Sequence, residues 1–256
     1  MPSLWFVVPA HGRAKLAQIC LRQLRRTCDL LIANGIDATA VVIADDANLD
    51  TARDLGFETV SQGNRFVSRK FNDGIQAALD PRHNPWPADY VVPCGSDDWI
   101  DHRLLLDLPE RNEILCFQHI SFVREDGREM TSKFLNYRGG CGIRVYPREI
   151  MERLGYRPAD EDRERGCDTS ILGNIVTDHE AASEPRRQIR IVHADSDPRQ
   201  IVDWKSPGSQ LNRYADLLRH KTTGVPVDPF LALADVFPAE ALAEMSVHYD
   251  RQLVAA

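Results

Sequence analysis

The first half of the chain alternates short apolar runs, rich in β-forming residues, with segments of helical periodicity. Residues 4–8, 38–44 and 90–94 are such runs. Between them, apolar side chains recur at helical spacing over 13–34 and again over 69–79. This order is typical of a mainly parallel, doubly wound sheet flanked by helices, because each crossover helix returns the chain to a parallel strand. We therefore predict an α/β fold.

The second half of the chain is less regular. Strands are predicted over 113–123, 143–146 and 188–192 from their apolar and β-branched residues. The final segment, 206–256, is predicted to form a helical C-terminal extension, with Pro238 at the first position of an amphipathic helix. A length of 256 residues and an apolar content of 43% suffice for one sizeable domain with such an addition.

Charge and cysteine usage exclude several classes of protein. A net charge of −7 argues against wholesale nonspecific binding to nucleic acid or to an anionic membrane. No window approaches the roughly 18 uninterrupted apolar residues of a membrane-spanning helix, and the first residues lack the pattern of a signal peptide. The six cysteines are scattered without paired spacing, which predicts reduced thiols in a cytoplasmic protein.

Three polar clusters directly follow predicted strands. They are residues 9–13 (Pro-Ala-His-Gly-Arg), Asp45-Asp46, and residues 95–98 (Gly-Ser-Asp-Asp). An acidic strand end is by itself equally compatible with a structural role, because Asp favours turns. In open α/β sheets, however, ligands bind outside the carboxyl ends of the strands. Three clusters at one predicted edge therefore indicate a binding site there.

In their order and spacing these clusters resemble the family-2 glycosyltransferases of the GT-A fold. Residues 9–13 are similar to the family's Pro-x-x-Asn-Arg-like turn, and Asp45-Asp46 to the Asp-Asp turn after its second strand. Residues 70–75 (Lys-Phe-Asn-Asp-Gly-Ile) resemble its Arg/Lys-x-Asn-x-Gly-Ile element. Residues 95–99 (Gly-Ser-Asp-Asp-Trp) resemble its Asp-x-Asp metal turn, with Gly95 in place of the first Asp.

The resemblance implies a nucleotide-sugar donor, with a UDP-sugar favoured. The nucleotide base would lie against the turn at 9–13, and Asp45 or Asp46 would accept a hydrogen bond from it. The stretch 202–206 could close over the nucleotide with Lys205 meeting phosphate, and a packed Trp204 beside an exposed Lys205 explains the same residues equally well. The full set of implied donor-binding residues is Pro9, His11, Arg13, Asp45, Asp46, Lys70, Asn72, Ser96, Asp97 and Lys205.

The resemblance also implies a divalent cation. A diphosphate leaving group carries concentrated negative charge, which such an ion neutralises. Mn²⁺ or Mg²⁺ suits this role because both prefer oxygen ligands. The implied ligands are Asp97 and Asp98, with His193, after a late strand, as a further ligand. Because Gly95 replaces the first Asp, the sequence leaves open which of Asp97 and Asp98 contacts metal and which contacts ribose.

Inverting members of the family need a general base that deprotonates the acceptor hydroxyl. It usually comes from a Glu-Asp-like motif at a helix start, after a glycine-rich segment. Residues 138–142 form such a segment, and Asp168 occupies the motif's position, with Cys167 replacing the usual acidic residue. Asp168 is therefore the predicted base. The alternative, a residue that only caps the helix, remains open because Asp is a favoured N-cap.

The resemblance predicts a catalytic domain over 1–205, with a nucleotide-binding half at 1–110 and an acceptor half at 111–205, followed by the extension at 206–256. The acceptor could be a glycan, a protein side chain or a modified DNA base. We expect no membrane insertion, a location in the cytoplasm (the host's, for a phage-encoded protein), and compatibility with an oligomer formed through the C-terminal helices.

Two other functions share this layout. A non-catalytic nucleotide-sugar or glycan-binding module of the same fold is favoured by the replacements at Gly95 and Cys167, and opposed by the retained Asp97, Asp98 and Asp168. A nucleotidyltransferase would carry a glycine-rich loop with Arg and Lys after the first strand. This chain has a single glycine there, which ranks that function lower.

Overall fold

The computed structural model describes residues 1–44, 47–63, 66–135, 140–164, 166–181, 189–206, 214–215 and 223–251. Its strands are β1 (Ser3–Pro9), β2 (Asp37–Ala44), β3 (Glu58–Ser61), β4 (Tyr90–Pro93), β5 (Asp98–Ile100), β6 (Glu113–Phe117), β7 (His119–Val123), β8 (Met130–Phe134), β9 (Arg144–Pro147), β10 (Arg190–Ala194), β11 (Ile201–Trp204) and β12 (Thr223–Val227). Its helices are α1 (Ala14–Ala33), α2 (Asn48–Asp54), α3 (Val67–Leu79), α4 (Arg148–Glu152), α5 (Cys167–Ala181), α6 (Pro229–Ala232) and α7 (Ala239–His248).

A seven-stranded sheet forms the centre of the fold, in the order β10-β6-β9-β4-β1-β2-β3. β1 runs parallel to β2 and β4, β2 to β3, and β6 to β10, whereas β9 runs antiparallel to β4 and β6. Phe6, Val7 and Val8 of β1 are all buried, as expected for a central parallel strand with both faces covered. The predicted α/β fold with a mainly parallel sheet is confirmed.

Helices cover both faces of this sheet, as a doubly wound fold requires. α1 packs on the face that presents Phe6 and Val8, and α3 on the face that presents Val7. Gly74 marks the closest approach of α3, since a Cβ there would lie 2.4 Å from the side chain of Ile43 and 2.5 Å from that of Val7. The glycine of the Lys-x-Asn-x-Gly element therefore sets the distance between helix and sheet.

A second sheet has five strands in the order β12-β8-β7-β11-β5. β7 and β11 pair in parallel, and the other neighbours are antiparallel. The run predicted as one strand over 113–123 is in fact β6 and β7, which belong to different sheets. The chain changes sheet at Gln118, whose carbonyl accepts a hydrogen bond from the Leu135 N–H at 2.7 Å. Hydrophobic pattern alone does not reveal this break, because both flanking strands are apolar.

The C-terminal extension contains the helices α6 and α7, and also strand β12, which the sequence analysis did not predict. β12 reads Thr-Gly-Val-Pro-Val, and Gly and Pro are both depleted in strands. α7 is held on α1 by Glu244, which accepts hydrogen bonds from Arg22 at 2.8 Å and Arg26 at 2.9 Å. Its apolar side chains join those of α1, β5 and β11 in one buried cluster. The domain boundary at 205/206 stays a prediction.

Two further findings concern the cysteines and the search for a membrane-spanning helix. Each of the six cysteines is buried and free of a disulfide. Within the described residues, no helix combines the length and apolar character needed to cross a membrane.

Candidate active site

Three carboxylates, those of Asp97, Asp98 and Asp203, meet at the edge of the second sheet. Their oxygen atoms lie within 4.8 Å of one another. Strand pairing explains the meeting, because β5 and β11 run antiparallel with Asp98 opposite Asp203. The Trp204 N–H also donates to the Asp97 carbonyl at 2.9 Å. We call these three residues the carboxylate cluster.

Two cations partly balance the carboxylate cluster. Arg13, at the end of the β1 turn, places Nη1 2.5 Å from Asp97 Oδ2, and Lys205 places Nζ 2.5 Å from Asp203 Oδ2. Burial and the charges of Asp203 and Asp97 raise the pKa of Asp98 well above its usual value. Burial raises the pKa of Asp203 to about 6, against the lowering effect of Lys205. When all three carboxyl groups are ionised, they carry one negative charge more than Arg13 and Lys205 offset.

The carboxylate cluster fits a divalent cation. Asp203 Oδ1 is buried and, among the described residues, has no hydrogen-bond partner. Leaving such an acceptor unsatisfied costs about 1–3 kcal/mol, and more for a charged group, unless a ligand completes it. Carboxylate oxygens without thiolate or imidazole form a hard donor set, which suits Mg²⁺ or Mn²⁺.

Gly95 stands where the resembling family has its first Asp, and the structure gives the reason. A Cβ at this position would lie 2.8 Å from both Asp97 Oδ1 and Asp98 Oδ2. The Gly95 N–H instead donates to Asp98 Oδ2 at 2.5 Å. The third carboxylate comes from Asp203 on another strand, so the cluster has three acidic residues without an Asp at position 95.

A cleft of about 480 Å³ opens beside the carboxylate cluster. Its lining includes Asp98 and Asp203 together with Asp168, so the predicted metal ligand and the predicted base face one space. The remaining wall is mostly apolar, with Phe71, Phe122 and Tyr146 among its side chains. The cleft is therefore large enough for a sugar ring and carries acidic groups from three separate elements, β5, β11 and α5.

Asp168 lies in the first turn of α5, and its side chain is 37% exposed. Among the described residues its carboxylate accepts no capping hydrogen bond; its charged neighbour is Arg144, with Nη2 3.7 Å from Oδ2. Gly142, from the glycine-rich segment, packs against it, since a Cβ there would lie 3.3 Å from Oδ2. The carboxylate is thus open to the cleft, as a base requires, and the cap-only alternative has no hydrogen bond to support it.

Other predicted donor-binding residues surround the β1 turn. Pro9 ends β1, His11 is exposed, and Ser96 is buried beside the carboxylate cluster. Asp45 and Asp46 lie outside the described residues. Their roles in donor binding stay predictions.

Lys70 and Asn72 are buried on α3, and their side chains hold neighbouring backbone. Lys70 Nζ donates to the Ala10 carbonyl at 3.0 Å. Asn72 both donates to the Ala159 carbonyl at 2.8 Å and accepts from the Ala159 N–H at 2.9 Å. These contacts position the β1 turn and the loop that leads to α5, which is a structural role beside the predicted one.

His193 was predicted as a metal ligand, but it lies exposed on β10, opposite Cys116 of β6. Within the described residues, the group that could hold a metal contains Asp203 and not His193. Asp203 was not among the residues predicted to bind metal. The sequence does mark it, as a single acidic residue within the otherwise apolar strand Ile201–Trp204, which ends directly before Lys205.

Comparison with known proteins identifies the fold. No protein-family model and no curated protein sequence matches the chain. Among solved structures, Drosophila β-1,4-galactosyltransferase 7, in complex with manganese, UDP-galactose and xylobiose, superposes with a TM-score of 0.51 at 14% identity, over 91% of this chain and 80% of that one. The chain has a GT-A fold.

Two other solved structures match with lower TM-scores. Glucosyl-3-phosphoglycerate synthase of Mycobacterium tuberculosis matches at 11% identity and a TM-score of 0.47, over 98% of this chain and 81% of that one. The 4-diphosphocytidyl-2C-methyl-D-erythritol synthase of Anaerococcus prevotii matches at 14% identity and a TM-score of 0.43, over 76% and 90%.

Proposed function

We propose that this protein is a metal-dependent glycosyltransferase that moves a sugar from a nucleoside-diphosphate sugar to an acceptor hydroxyl. The observation that carries the proposal is the carboxylate cluster with its unsatisfied Asp203 oxygen, at a cleft that Asp168 also lines. The GT-A fold adds support, since the galactosyltransferase of that fold was solved with manganese and UDP-galactose. A UDP-sugar is the favoured donor.

Mn²⁺ or Mg²⁺ would be held by Asp97, Asp98 and Asp203, and when bound it neutralises the negative charge of the diphosphate leaving group. Arg13 and Lys205 keep Asp97 and Asp203 in place through their ion pairs. Pro9, His11, Asp45 and Asp46 remain the proposed contacts of the nucleotide, because Pro9 ends β1, His11 follows it, and Asp45 and Asp46 come directly after β2 in the sequence.

Asp168 is the proposed general base of an inverting transfer. Its carboxylate accepts the proton of the acceptor hydroxyl while the hydroxyl oxygen bonds to the anomeric carbon and the bond from that carbon to the diphosphate oxygen breaks. The acceptor, a glycan, a protein side chain or a modified DNA base, would enter along the half of the chain that follows residue 110.

The direct test is hydrolysis of a panel of UDP-, GDP- and dTDP-sugars with Mn²⁺ or Mg²⁺, repeated with EDTA. We expect turnover of one donor class that EDTA abolishes, and loss of that turnover in Asp98→Ala. Asp54→Asn, an exposed carboxylate at the end of α2, serves as the control and should behave as wild type.

The same assay separates the proposal from the alternatives. Nucleotide-sugar binding without turnover of any donor would indicate a binding module. Release of pyrophosphate from a nucleoside triphosphate and a sugar phosphate would indicate a nucleotidyltransferase. Near-normal turnover in both Asp97→Ala and Asp98→Ala would contradict the metal assignment.

A further inference from the structure

Arg144 is a buried charge whose contacts converge on Asp168. It lies on β9, inside the seven-stranded sheet, with 1% of its side chain exposed. Burying a guanidinium is costly unless charged or polar partners compensate it. Nη1 donates to the Asp168 backbone carbonyl at 2.7 Å, and Nη2 lies 3.7 Å from the Asp168 carboxylate. One planar guanidinium therefore donates a hydrogen bond to the Asp168 backbone through Nη1 and forms an ion pair with the Asp168 side chain through Nη2.

The arrangement constrains Asp168 from two sides. Arg144 approaches it from the interior of the fold, and the Tyr146 hydroxyl, 3.4 Å from Nη1, lies beside the guanidinium. Gly142 closes the other side, where an added Cβ would come within 3.3 Å of Asp168 Oδ2. Little space remains for other positions of the carboxylate, although 37% of the side chain still faces the cleft.

We propose that Arg144 is a positioning residue for Asp168: it fixes the first turn of α5 through the carbonyl and orients the ionised carboxylate toward the acceptor. This inference rests on the proposed function, in which Asp168 is the base. A base must hold one orientation relative to the acceptor hydroxyl for the proton transfer to be efficient. A merely structural Arg144 would anchor α5, and its loss would change kcat, donor KM and Mn²⁺ binding together.

The test measures kcat and KM at one fixed pH for the most rapidly hydrolysed UDP-sugar, with Mn²⁺ and water as acceptor. In Arg144→Met we expect kcat to fall about 10- to 100-fold, the effect of a misplaced catalytic group. Donor KM and the Mn²⁺-induced rise in Tm should stay as in wild type. Arg144→Lys, which keeps the charge but not the planar fork, should restore only part of the lost kcat.

Gly142→Ala is a second variant that leaves Arg144 and its burial intact. Its new Cβ should displace the Asp168 carboxylate and lower kcat with unchanged Mn²⁺ binding. Gly63→Ala, where a Cβ meets nothing within 4 Å, is the matched control. A wild-type kcat in Gly142→Ala, or a wild-type kcat in Arg144→Met, would overturn the positioning role.

The Asp168→Asn variant tests whether Asp168 is the base independently of whether Arg144 positions it. If it turns over the donor at the wild-type rate, Asp168 is not the base and the proposed mechanism fails together with this inference. If Asp168→Asn is inactive and Arg144→Met keeps the wild-type kcat, the base assignment stands and only the role of Arg144 is refuted.

Discussion

At the scale of single residues, Gly95 decides whether the carboxylate cluster can form. Its Cα lies so close to Asp97 and Asp98 that any side chain would contact both carboxylates. We expect Gly95→Ala to abolish the Mn²⁺-induced rise in Tm, because displaced carboxylates no longer converge on an ion, while the protein still folds.

Thermal unfolding with Mn²⁺ and with EDTA measures this effect, and Gly63→Ala again controls for the substitution itself. A bound ligand raises apparent stability in proportion to RT ln(1 + [L]/Kd), so an absent rise reports lost affinity. A Gly95→Ala protein with the full wild-type rise would show that the carboxylates adapt around a Cβ.

The raised pKa values of Asp98 and Asp203 predict how pH acts on metal binding. Burial and mutual repulsion hold these carboxyl groups protonated to higher pH than in the unfolded chain. Their contribution to the stability of the metal-free protein is therefore present at low pH and is lost as pH rises through about 6. Metal binding has the opposite trend, because the ion requires the ionised carboxylates.

We accordingly expect the Tm in EDTA to fall, and the Mn²⁺-induced rise in Tm to grow, between pH 4.5 and pH 7.5, a window of about one and a half units on either side of that pKa. A Tm difference between Mn²⁺ and EDTA that is constant over this range would contradict it.

Asp97, Asp98 and Asp168 could be predicted as site residues because each follows a recognisable strand end or glycine-rich segment. Asp203 could not, because it joins the carboxylate cluster through the register of β11 on β5, and a local sequence pattern carries no information about which strands pair. The partners of Asp168 were equally inaccessible, since nothing near Arg144 in the sequence indicates that its guanidinium faces α5.

At the scale of elements, the C-terminal helices support the strands that carry the carboxylate cluster. Trp99 follows Asp98, Trp204 follows Asp203, and their rings lie 4.9 Å apart on the side opposite the carboxylates. The ring centroids of Phe237 and Trp99 lie 5.1 Å apart, and those of Tyr249 and Trp204, which stack, lie 5.9 Å apart. The extension therefore fixes β5 and β11 from behind.

The hydroxyl of Tyr249, which donates to the Lys205 carbonyl, tests this support. We expect Tyr249→Phe to destabilise the protein by about 1 kcal/mol and to weaken Mn²⁺ binding, because the backbone beside Asp203 loses its anchor. Tyr90→Phe is the matched control, since its hydroxyl likewise donates to a backbone carbonyl, that of Pro109 at 2.9 Å. Equal Mn²⁺ affinities in the two variants would disprove the support.

Elements with strong periodicity were predictable, and those defined by tertiary pairing were not. α1 and β1 followed from local apolar patterns, which tertiary packing reinforces. β12 did not, because its Gly and Pro are tolerated only where β8 supplies a partner. The division of 113–123 between two sheets likewise depends on long-range hydrogen bonds.

At the scale of the whole molecule, the extension and the GT-A core share one buried hydrophobic cluster. Phe230, Leu233, Phe237, Leu242 and Met245 are buried in the same cluster as Leu16 of α1 and Trp99 of β5. Burying each such side chain contributes about 1.5–3 kcal/mol, and five together rival the roughly 5–15 kcal/mol of a domain's net stability.

We therefore expect a chain ended after residue 205 to lose its fixed tertiary structure, and the full chain to unfold in a single transition. Near-UV circular dichroism and dye binding to exposed apolar surface would report the loss in the shortened chain. A shortened chain with a native near-UV spectrum and Mn²⁺-dependent stabilisation would instead establish 1–205 as an independent domain.

Because Asp98 and Asp203 lie opposite each other on paired strands, the carboxylate cluster can form only once β11 has paired with β5. Nearly half of the chain separates these two neighbours, so closing the contact between them is a non-local and late event in folding. A nascent chain that ends before β11 holds two of the three carboxylates and cannot retain the ion in its final coordination. The ion therefore cannot template early folding, and it is captured only by chains whose synthesis has passed β11.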